Sequence, residues 1–336
     1  MTVAILGALP LATAMVIGAN GHVRQESSPS PGDRLFHRVW TPVDGAGPLA
    51  NAQSCAACHS SPRAGGGGPQ SLVIVSPDAR DPSGGQLFRQ FLFRPGKAVV
   101  RQPLPNRVFR RRPPSLLGLG LLERVDAGSI SALADPDDRD GDGVSGRIAA
   151  DGGRFGWKAR FARIETAVAA ALVNELGLTN PMFRERDTPA PEVADNDVRA
   201  LSAFVRTLAP PSPSRAGSEG RAEFAAFGCA TCHVPRLAGI ADATHAPAEP
   251  FTDLLLHDMG REGADLHEGS AAAAEFRTPP LWGITAMDGA YMHDGGAPTL
   301  DAAIRAHGGE GSSARRRYEQ ASVPRRAALL RFLASL

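Results

Sequence analysis

The sequence predicts a mainly α-helical fold with short β excursions and long loops. Aromatic residues make up only 6% of the chain, which disfavours a tightly packed β-sandwich, while a hydrophobic content of 43% suffices for a buried core. The 37 glycines and 28 prolines mark many turns but follow no repeat period, which argues against a collagen-like fold. With 336 residues, the chain is long enough for two domains of ordinary size.

Helical patterns are clearest in four stretches. In the first half they cover 164–176 and 197–208, and Asp195 or Asn196 is the predicted N-cap of the second of these helices. In the second half they cover 219–227 and 323–336, where leucines recur at helical spacing and Pro324 suits a first helical turn. Within the glycine-, proline- and arginine-rich region 60–115, short strands are predicted at 72–76 and 86–93.

All four cysteines belong to two copies of the pattern C-x-x-C-H. The copies are CAACH, with Cys55, Cys58 and His59, and CATCH, with Cys229, Cys232 and His233. This pattern is typical of covalent c-type haem attachment, in which two thiols form thioethers and the adjacent histidine is an axial ligand of iron. A structural zinc site would need the two pairs at short spacing, and a thiol-redox motif does not need the histidine. The sequence therefore predicts two covalent c-type haems.

Haem attachment of this kind takes place outside the cytoplasm, so the sequence should carry an export signal. Residues 3–17 form an apolar run that ends in small residues, which predicts a signal peptide at 1–21 and a periplasmic protein. The basic N-terminal region of such signals is missing, and an uncleaved anchor is the alternative. Gly7, Pro10 and the short run disfavour a membrane span, and none is expected in the mature chain.

A proline- and serine-rich stretch at 210–218 separates the two motifs and is the predicted linker. It divides the chain into an N-terminal haem domain at 22–209 and a C-terminal haem domain at 219–336. A helix that leads into C-x-x-C-H and a C-terminal helix that packs across it are the elements from which a cytochrome c domain is built. We therefore expect two cytochrome c-like haem domains.

Further motifs follow in order along residues 34–336. They are GPLANAQSCAACH, RRPPSLLGLGLLERV, ALADPDDRDGDGVSGR, GRFGWKA, ELGLTNP, FTDLLLHDMG, EFRTPPLWGI, YMHDG and AHGGE. Together they resemble the di-haem oxidoreductase (putative peroxidase) family, which is similar in turn to bacterial di-haem cytochrome c peroxidases and MauG-type enzymes. The resemblance implies a periplasmic two-domain protein in which one haem is reactive and the other handles electrons.

The sixth iron ligand of the second haem is expected to be His307. It follows His293 of YMHDG by 14 residues, at a position that resembles the one where the peroxidases carry methionine and MauG-type enzymes carry tyrosine. Gly308 and Gly309 would allow the backbone to approach a porphyrin closely. His257 and Met259 are the rival ligands, and His293 is expected to be a hydrogen-bonding or structural residue.

The first haem has no equally well placed sixth ligand, because no histidine follows His59 before His233. We therefore expect this haem to have an open side where peroxide binds. Resemblance to the peroxidases implies Glu175 as the distal acid and base, with Glu123 as the alternative. It also implies that Trp157 lies between the haems, whereas the other two tryptophans are expected to pack in the core.

Asp138, Asp140 and Asp142 alternate along the chain and are followed by Gly143, as at the start of an EF-hand-like calcium loop. The terminal glutamate of such a loop is replaced by Ala149, so a solvated acidic turn is an equally good interpretation. The arginines at 110–112 could pair with haem propionates, although a surface patch is the simpler expectation for them.

The predicted function is that of a periplasmic dihaem oxidoreductase of peroxidase type. Hydrogen peroxide is the expected oxidant, and a small periplasmic electron-transfer protein or an oxidisable substrate is the expected source of electrons. A non-catalytic dihaem electron-transfer cytochrome c and a thiol-redox protein are the alternatives. The balance of 36 basic and 35 acidic residues disfavours nucleic-acid binding.

Overall fold

The structure is a computed structural model of the 336-residue chain. It describes residues 28–44, 49–67, 72–185, 190–212, 219–240, 248–287 and 289–336. The predicted signal peptide at 1–21 and most of the predicted linker at 210–218 lie outside the described residues. Residues 31–336 form one compact unit, and the division into two haem domains stays a prediction.

Helices are the main regular structure of the described residues, as predicted. They are α1 (Pro31–His37), α2 (Leu119–Glu123), α3 (Ala127–Ser131), α4 (Ile164–Glu175), α5 (Asp195–Thr207), α6 (Gly220–Ala226), α7 (Leu300–Arg305), α8 (Ser312–Gln320) and α9 (Val323–Ala334). The four predicted helices correspond to α4, α5, α6 and α9, with ends that differ by at most two residues. The N-cap prediction for α5 was wrong, because Asp195 is already helical and Ala194 is the extended residue before it. The Asp195 carboxylate pairs instead with Arg199, one turn further along.

In the described part of the chain, eight short strands form three small antiparallel sheets. The strands are β1 (Leu49–Ala50), β2 (Val73–Val75), β3 (Leu87–Phe88), β4 (Phe91–Leu92), β5 (Val100–Arg101), β6 (Phe109–Arg111), β7 (Leu256–Asp258) and β8 (Glu275–Arg277). The strand orders are β1-β4-β5, β3-β2-β6 and β7-β8. The predicted strand pieces correspond to β2 and to the pair β3 and β4.

Helix α1, which precedes the first C-x-x-C-H motif, crosses the later helix α5 at close range. A Cβ atom added to Gly32 would lie 2.0 Å from the backbone oxygen of Ala200, so only glycine allows this approach. One turn further along, the rings of Phe36 and Phe204 pack with centroids 5.2 Å apart. The crossing borders an apolar cluster that includes Cys55 at its edge.

The same arrangement recurs between α6 and α9 at the second motif. A Cβ atom added to Gly220 would lie 2.1 Å from the backbone oxygen of Ala328, and the rings of Phe224 and Phe332 lie 5.5 Å apart. This crossing borders a second apolar cluster, with Cys229 packed against it. Each motif therefore follows a glycine-phenylalanine helix that is crossed by a later helix.

A third apolar cluster contains residues from both halves of the chain, among them Leu122 and Ile164 from the first half and Leu254 and Trp282 from the second. Trp282 and Trp40 are both buried, as expected for packing residues. Among the described residues, no helix has the length and apolar character needed to cross a membrane.

Candidate functional site

Both C-x-x-C-H motifs fold into a single tight helical turn. The His59 N–H donates to the Cys55 carbonyl at 3.0 Å, and the His233 N–H donates to the Cys229 carbonyl at the same distance. The hydroxyl of Ser54 caps the first turn by accepting from the Ala57 N–H. The four cysteines form no disulfide bonds.

A cavity of about 270 Å³ opens beside the first motif. Cys55, Cys58 and His59 line one part of it, and apolar side chains from α1, α4 and α5 line much of the rest. Two of the predicted catalytic residues, Glu175 and Trp157, lie in the same lining. The cavity thus contains the whole first C-x-x-C-H motif together with an acid and an indole.

Glu175 ends α4 and is held by the segment that leads into the first motif. The Asn51 side-chain amide donates to the Glu175 carboxylate at 3.0 Å, and the Asn51 and Ala52 N–H groups donate to its backbone oxygen at 2.7 and 3.0 Å. Burial raises the pKa of Glu175 to about 7, with a smaller contribution from the charge of Asp81. A carboxyl group with such a pKa can both accept and release a proton near neutral pH.

Trp157 is 9% exposed, and its indole N–H donates to the Arg112 carbonyl at 2.8 Å. Its ring lies edge-on to the ring of His293, with centroids 6.3 Å apart. His293 in turn stacks on Phe276 at 4.0 Å. Burial lowers the pKa of His293 to about 4, so this residue is a neutral, packed imidazole behind the indole.

Two buried guanidinium groups line the same cavity, and the expectation of a surface patch at 110–112 was wrong for both. Arg111 pairs with Asp265 and Glu268, but one of its Nη atoms has no hydrogen-bond partner in the described part of the chain. Arg112 is 1% exposed and donates to two backbone oxygens, those of Ala290 and Gly67, and to no carboxylate of the described residues. Its Nε atom has no hydrogen-bond partner among the described residues.

Unsatisfied buried N–H groups are costly unless a ligand completes them. Those of Arg111 and Arg112 suit the carboxylates of a bound group, and haem carries two propionates. The attachment motif, the apolar walls and these donors therefore fit a c-type haem in this cavity.

Glu123, the alternative acid, is not in the lining of this cavity. Its carboxylate accepts from Arg206 Nε at 2.6 Å and from the Ile164 N–H at 2.8 Å. Burial alone would raise the pKa of Glu123, but these hydrogen bonds lower it below its usual value. The geometry gives Glu123 the role of a structural carboxylate that caps α4.

His233 of the second motif lies opposite His307. Their ring centroids lie 6.5 Å apart with the planes tilted by 59°. An imidazole nitrogen lies about 2 Å from a bound metal and about 1.2 Å from its ring centre, so two imidazoles on one iron have centroids roughly 6.3 Å apart. The observed spacing therefore suits a single iron between the two rings.

Both rings also have the tautomer that such a site needs. His233 Nδ1 lies 3.0 Å from the Phe251 carbonyl, and His307 Nδ1 lies 2.8 Å from the Ala303 carbonyl. Because a carbonyl oxygen only accepts, each Nδ1 carries the hydrogen and each Nε2 keeps its lone pair. Burial lowers the pKa of both histidines, that of His233 to about 4, so both are neutral as metal ligation requires.

The rival ligand His257 has both ring nitrogens occupied. Nε2 lies 2.8 Å from the Asp253 carboxylate and Nδ1 lies 2.7 Å from that of Glu310. Burial alone would lower the pKa of His257, but its hydrogen bonds with Asp253, Cys232 and Glu310 raise this pKa to about 12. His257 is thus an imidazolium between two carboxylates, 3.6 Å from the sulfur of Cys232.

Met259, the other rival, lies beside Gly311, as the expected ligand His307 does. A Cβ atom added to Gly311 would lie 3.0 Å from His307 Cβ and 3.4 Å from the terminal methyl of Met259. The two glycines after His307 have a different role from the expected one. Cβ atoms at Gly308 and Gly309 would meet the backbone of residues 258–260, so both allow two chain segments to approach each other.

Burial raises the pKa of Cys55 and of Cys229 to about 12, and also raises that of Cys232. Thiol-redox catalysis depends on a thiolate, whose formation needs a lowered pKa. These protonated thiols are therefore poor candidates for disulfide exchange.

The three alternating aspartates lie in one turn, in which Asp138 is half-buried and Asp140 and Asp142 are exposed. One carboxylate oxygen from each lies within 4.8 Å of the others. The Asp138 carboxylate accepts from the Gly143 N–H at 3.1 Å, so local hydrogen bonds shape the turn. Calcium binding at this turn stays a prediction.

Sequence reasoning missed Asn51 and the helix α1, and it named Arg112 only as part of the run 110–112, for which a surface patch was the simpler expectation. The signal for α1 was present, because Gly32 and Phe36 have the same spacing as Gly220 and Phe224. No local pattern distinguishes Asn51, whose role depends on distant partners.

The family model described as "Di-haem oxidoreductase, putative peroxidase" matches residues 186–336 of the chain. This segment contains the second motif and His307. The family resemblance predicted from the motifs is thereby confirmed over this part of the chain.

The chain is also similar to the methylamine utilization protein MauG of Methylorubrum extorquens, with 31% identity over 147 residues. The match covers 37% of this chain and 38% of that protein, so the chain spans less than two thirds of the relative that it matches. Among solved structures, it resembles a hydrazine synthase chain of Kuenenia stuttgartiensis under xenon pressure. That resemblance has a TM-score of 0.44 at 14% identity and covers 98% of this chain and all of the other.

Proposed function

We propose that this chain, whose residues 186–336 belong to the di-haem oxidoreductase family, is a periplasmic dihaem c-type oxidoreductase of peroxidase type. In this proposal the cavity beside Cys55, Cys58 and His59 is the reactive site. The pair His233 and His307 forms the electron-transfer site.

One observation carries the proposal: the first cavity combines a haem-attachment motif with a carboxyl group whose pKa is about 7. When bound, the haem would supply the iron at which peroxide is reduced. An acid and base beside that iron is what peroxide reduction needs, because protons must move as the O–O bond breaks.

Glu175 accepts and returns the proton at its carboxylate, which Asn51 orients from one side. Trp157 lies in the lining of the same cavity, where an indole can accept or pass an electron. Arg112 and the unpaired Nη atom of Arg111 would bind the propionates of a haem and so hold the cofactor in the cavity.

At the second site, His233 and His307 each keep a lone pair on Nε2 and a hydrogen bond on Nδ1. Two strong protein ligands leave no open position, which suits electron transfer rather than reaction with peroxide. The similar crossings α1–α5 and α6–α9 support the view that each haem belongs to a cytochrome c-like half of the chain.

A dihaem electron carrier without catalytic activity is the second candidate. It requires a sixth protein ligand at the first haem. Among the described residues, the lining of the first cavity contains no methionine, and His59 is its only histidine. This observation favours the enzyme over the carrier.

Electron paramagnetic resonance of the ferric protein tests the choice. We expect one high-spin and one low-spin haem, with the high-spin signal lost after peroxide is added. Two low-spin haems that do not respond to peroxide would reject the enzyme in favour of the carrier. A pyridine-haemochrome assay with fewer than two haems per chain would reject both.

A further inference from the structure

Charge is segregated along this chain in a way that the proposed reaction does not explain. Residues 82–122 contain eight arginine and lysine residues and no aspartate or glutamate, although the whole chain is balanced at 36 and 35. The rest of the chain therefore carries an acidic excess. A segment of one sign on an otherwise acidic protein creates a directional electrostatic field.

The exposed centre of this segment is the hairpin formed by β4, β5 and their turn, residues 91–101, which we name the basic hairpin. Arg94, Lys97 and Arg101 are exposed, and none forms an ion pair with a described residue. Val99 and Val100 lie between them and are each 53% exposed. An apolar centre with a polar, solvent-accessible rim is the arrangement that protein-docking surfaces have.

The basic hairpin is connected directly to the first cavity. Its strand β4 pairs with β1 through Phe91 and Ala50, and β1 leads into the first attachment motif. The Gln90 N–H donates to the Asn51 side-chain oxygen at 3.0 Å, while the Asn51 amide nitrogen donates to Glu175. A protein bound at the hairpin would therefore lie one strand away from the segment that holds the cavity acid.

We propose that the basic hairpin docks an acidic one-electron redox protein, which supplies the electrons that peroxide reduction in the first cavity consumes. The proposal rests on the proposed function, because reduction of one hydrogen peroxide to two waters consumes two electrons and two protons. Two reduced partners must therefore bind in turn for each peroxide. Charge complementarity selects the partner, since the hairpin is cationic whereas the remainder of the chain has an acidic excess.

Cations on an edge strand also prevent strand-to-strand aggregation, and β5 is the outer strand of its sheet. That role does not account for the two exposed valines, which would favour aggregation. Protection against aggregation also predicts no binding partner, so a binding measurement distinguishes it from docking.

The test compares the haem-loaded protein with the double variant Arg94→Glu/Lys97→Glu. Its matched control is Arg199→Glu/Arg331→Glu, which changes the net charge equally at exposed arginines outside the segment. The probes are a reduced acidic monohaem cytochrome c, a basic one, and phosphatidylglycerol vesicles. Binding is measured by calorimetry and electron transfer by stopped-flow absorbance, at low and high salt.

We expect the acidic cytochrome to bind and to react with the wild type, more slowly as salt increases. The hairpin variant should lose at least tenfold in this rate at low salt, while the control variant loses less than twofold. Replacing Val99 and Val100 by serine should weaken binding without changing its salt dependence. Equal losses in both charge variants, or hairpin-dependent binding to the vesicles but not to the cytochrome, would overturn the proposal.

A small neutral reductant, hydroquinone, separates this proposal from the proposed function. Peroxide turnover with hydroquinone should be the same in the wild type and both charge variants. If the wild type shows no such turnover, the peroxidase function fails, yet the calorimetry still decides whether the hairpin binds the acidic cytochrome. If turnover is normal but the acidic cytochrome does not bind, only the docking proposal fails.

Discussion

Glu175→Gln is the most informative substitution, because it removes the titrating group of the first cavity and keeps its shape. The pKa of Glu175 lies at about 7, against 4.5 for an unperturbed glutamate. If the carboxylate accepts the proton from peroxide, the wild-type rate should fall as the pH falls through about 7. The variant should lose this inflection and react roughly 10²–10⁴ times more slowly.

The same shift has a consequence for stability with a definite sign. The folded state holds the Glu175 proton more tightly than the unfolded chain, so stability falls as the pH rises from about 4.5 to about 7. At pH values above that range, the shift lowers the free energy of unfolding by at most about 3 kcal/mol. Glu175→Gln should therefore stabilise the protein at pH 8 and leave it nearly unchanged at pH 4, as urea unfolding at both pH values would measure.

Glu123→Gln is the matched control, with the same chemical change outside the cavity. The pKa of Glu123 is lowered, so its ion pair with Arg206 contributes stability above the usual glutamate pKa that is lost as the pH falls. This variant should destabilise the protein at pH 8 and leave the peroxide reaction unchanged. If Glu175→Gln slows the reaction no more than Glu123→Gln does, Glu175 is not the acid and base.

Three further results are expected. His307→Met replaces an imidazole ligand by a thioether, which should raise the reduction potential of the second haem and leave that of the first unchanged. Spectroelectrochemistry would measure both potentials. An unchanged potential and low-spin signal would make Met259 the better ligand candidate. Arg112→Met removes a buried positive charge from the first cavity and should lower the potential of the first haem only, whereas a shift in the second alone would contradict its position. Asp140→Asn should weaken calcium binding measured by calorimetry, and no binding heat in the wild type would leave the acidic turn as a solvated loop.

The sequence alone identified what depends on short, local patterns. Each C-x-x-C-H motif, a pattern typical of covalent haem attachment, is only five residues long. The periodicity of α4, α5, α6 and α9 reflects burial of one helix face. The resemblance to related enzymes also selected Glu175 and Trp157. These predictions needed no knowledge of which segments meet in space.

The tertiary structure decided which of these groups act together. Glu175 lies far along the chain from Cys55, and the two share a cavity because Asn51 and Ala52 bind the end of α4 before the motif begins. His307 faces His233 because the turn after α7 is held against residues 258–260 by close glycine contacts. Arg111 and Arg112 are buried rather than exposed, since acids and carbonyls from distant segments surround them. Burial and pairing of this kind arise from long-range packing, which no local pattern encodes.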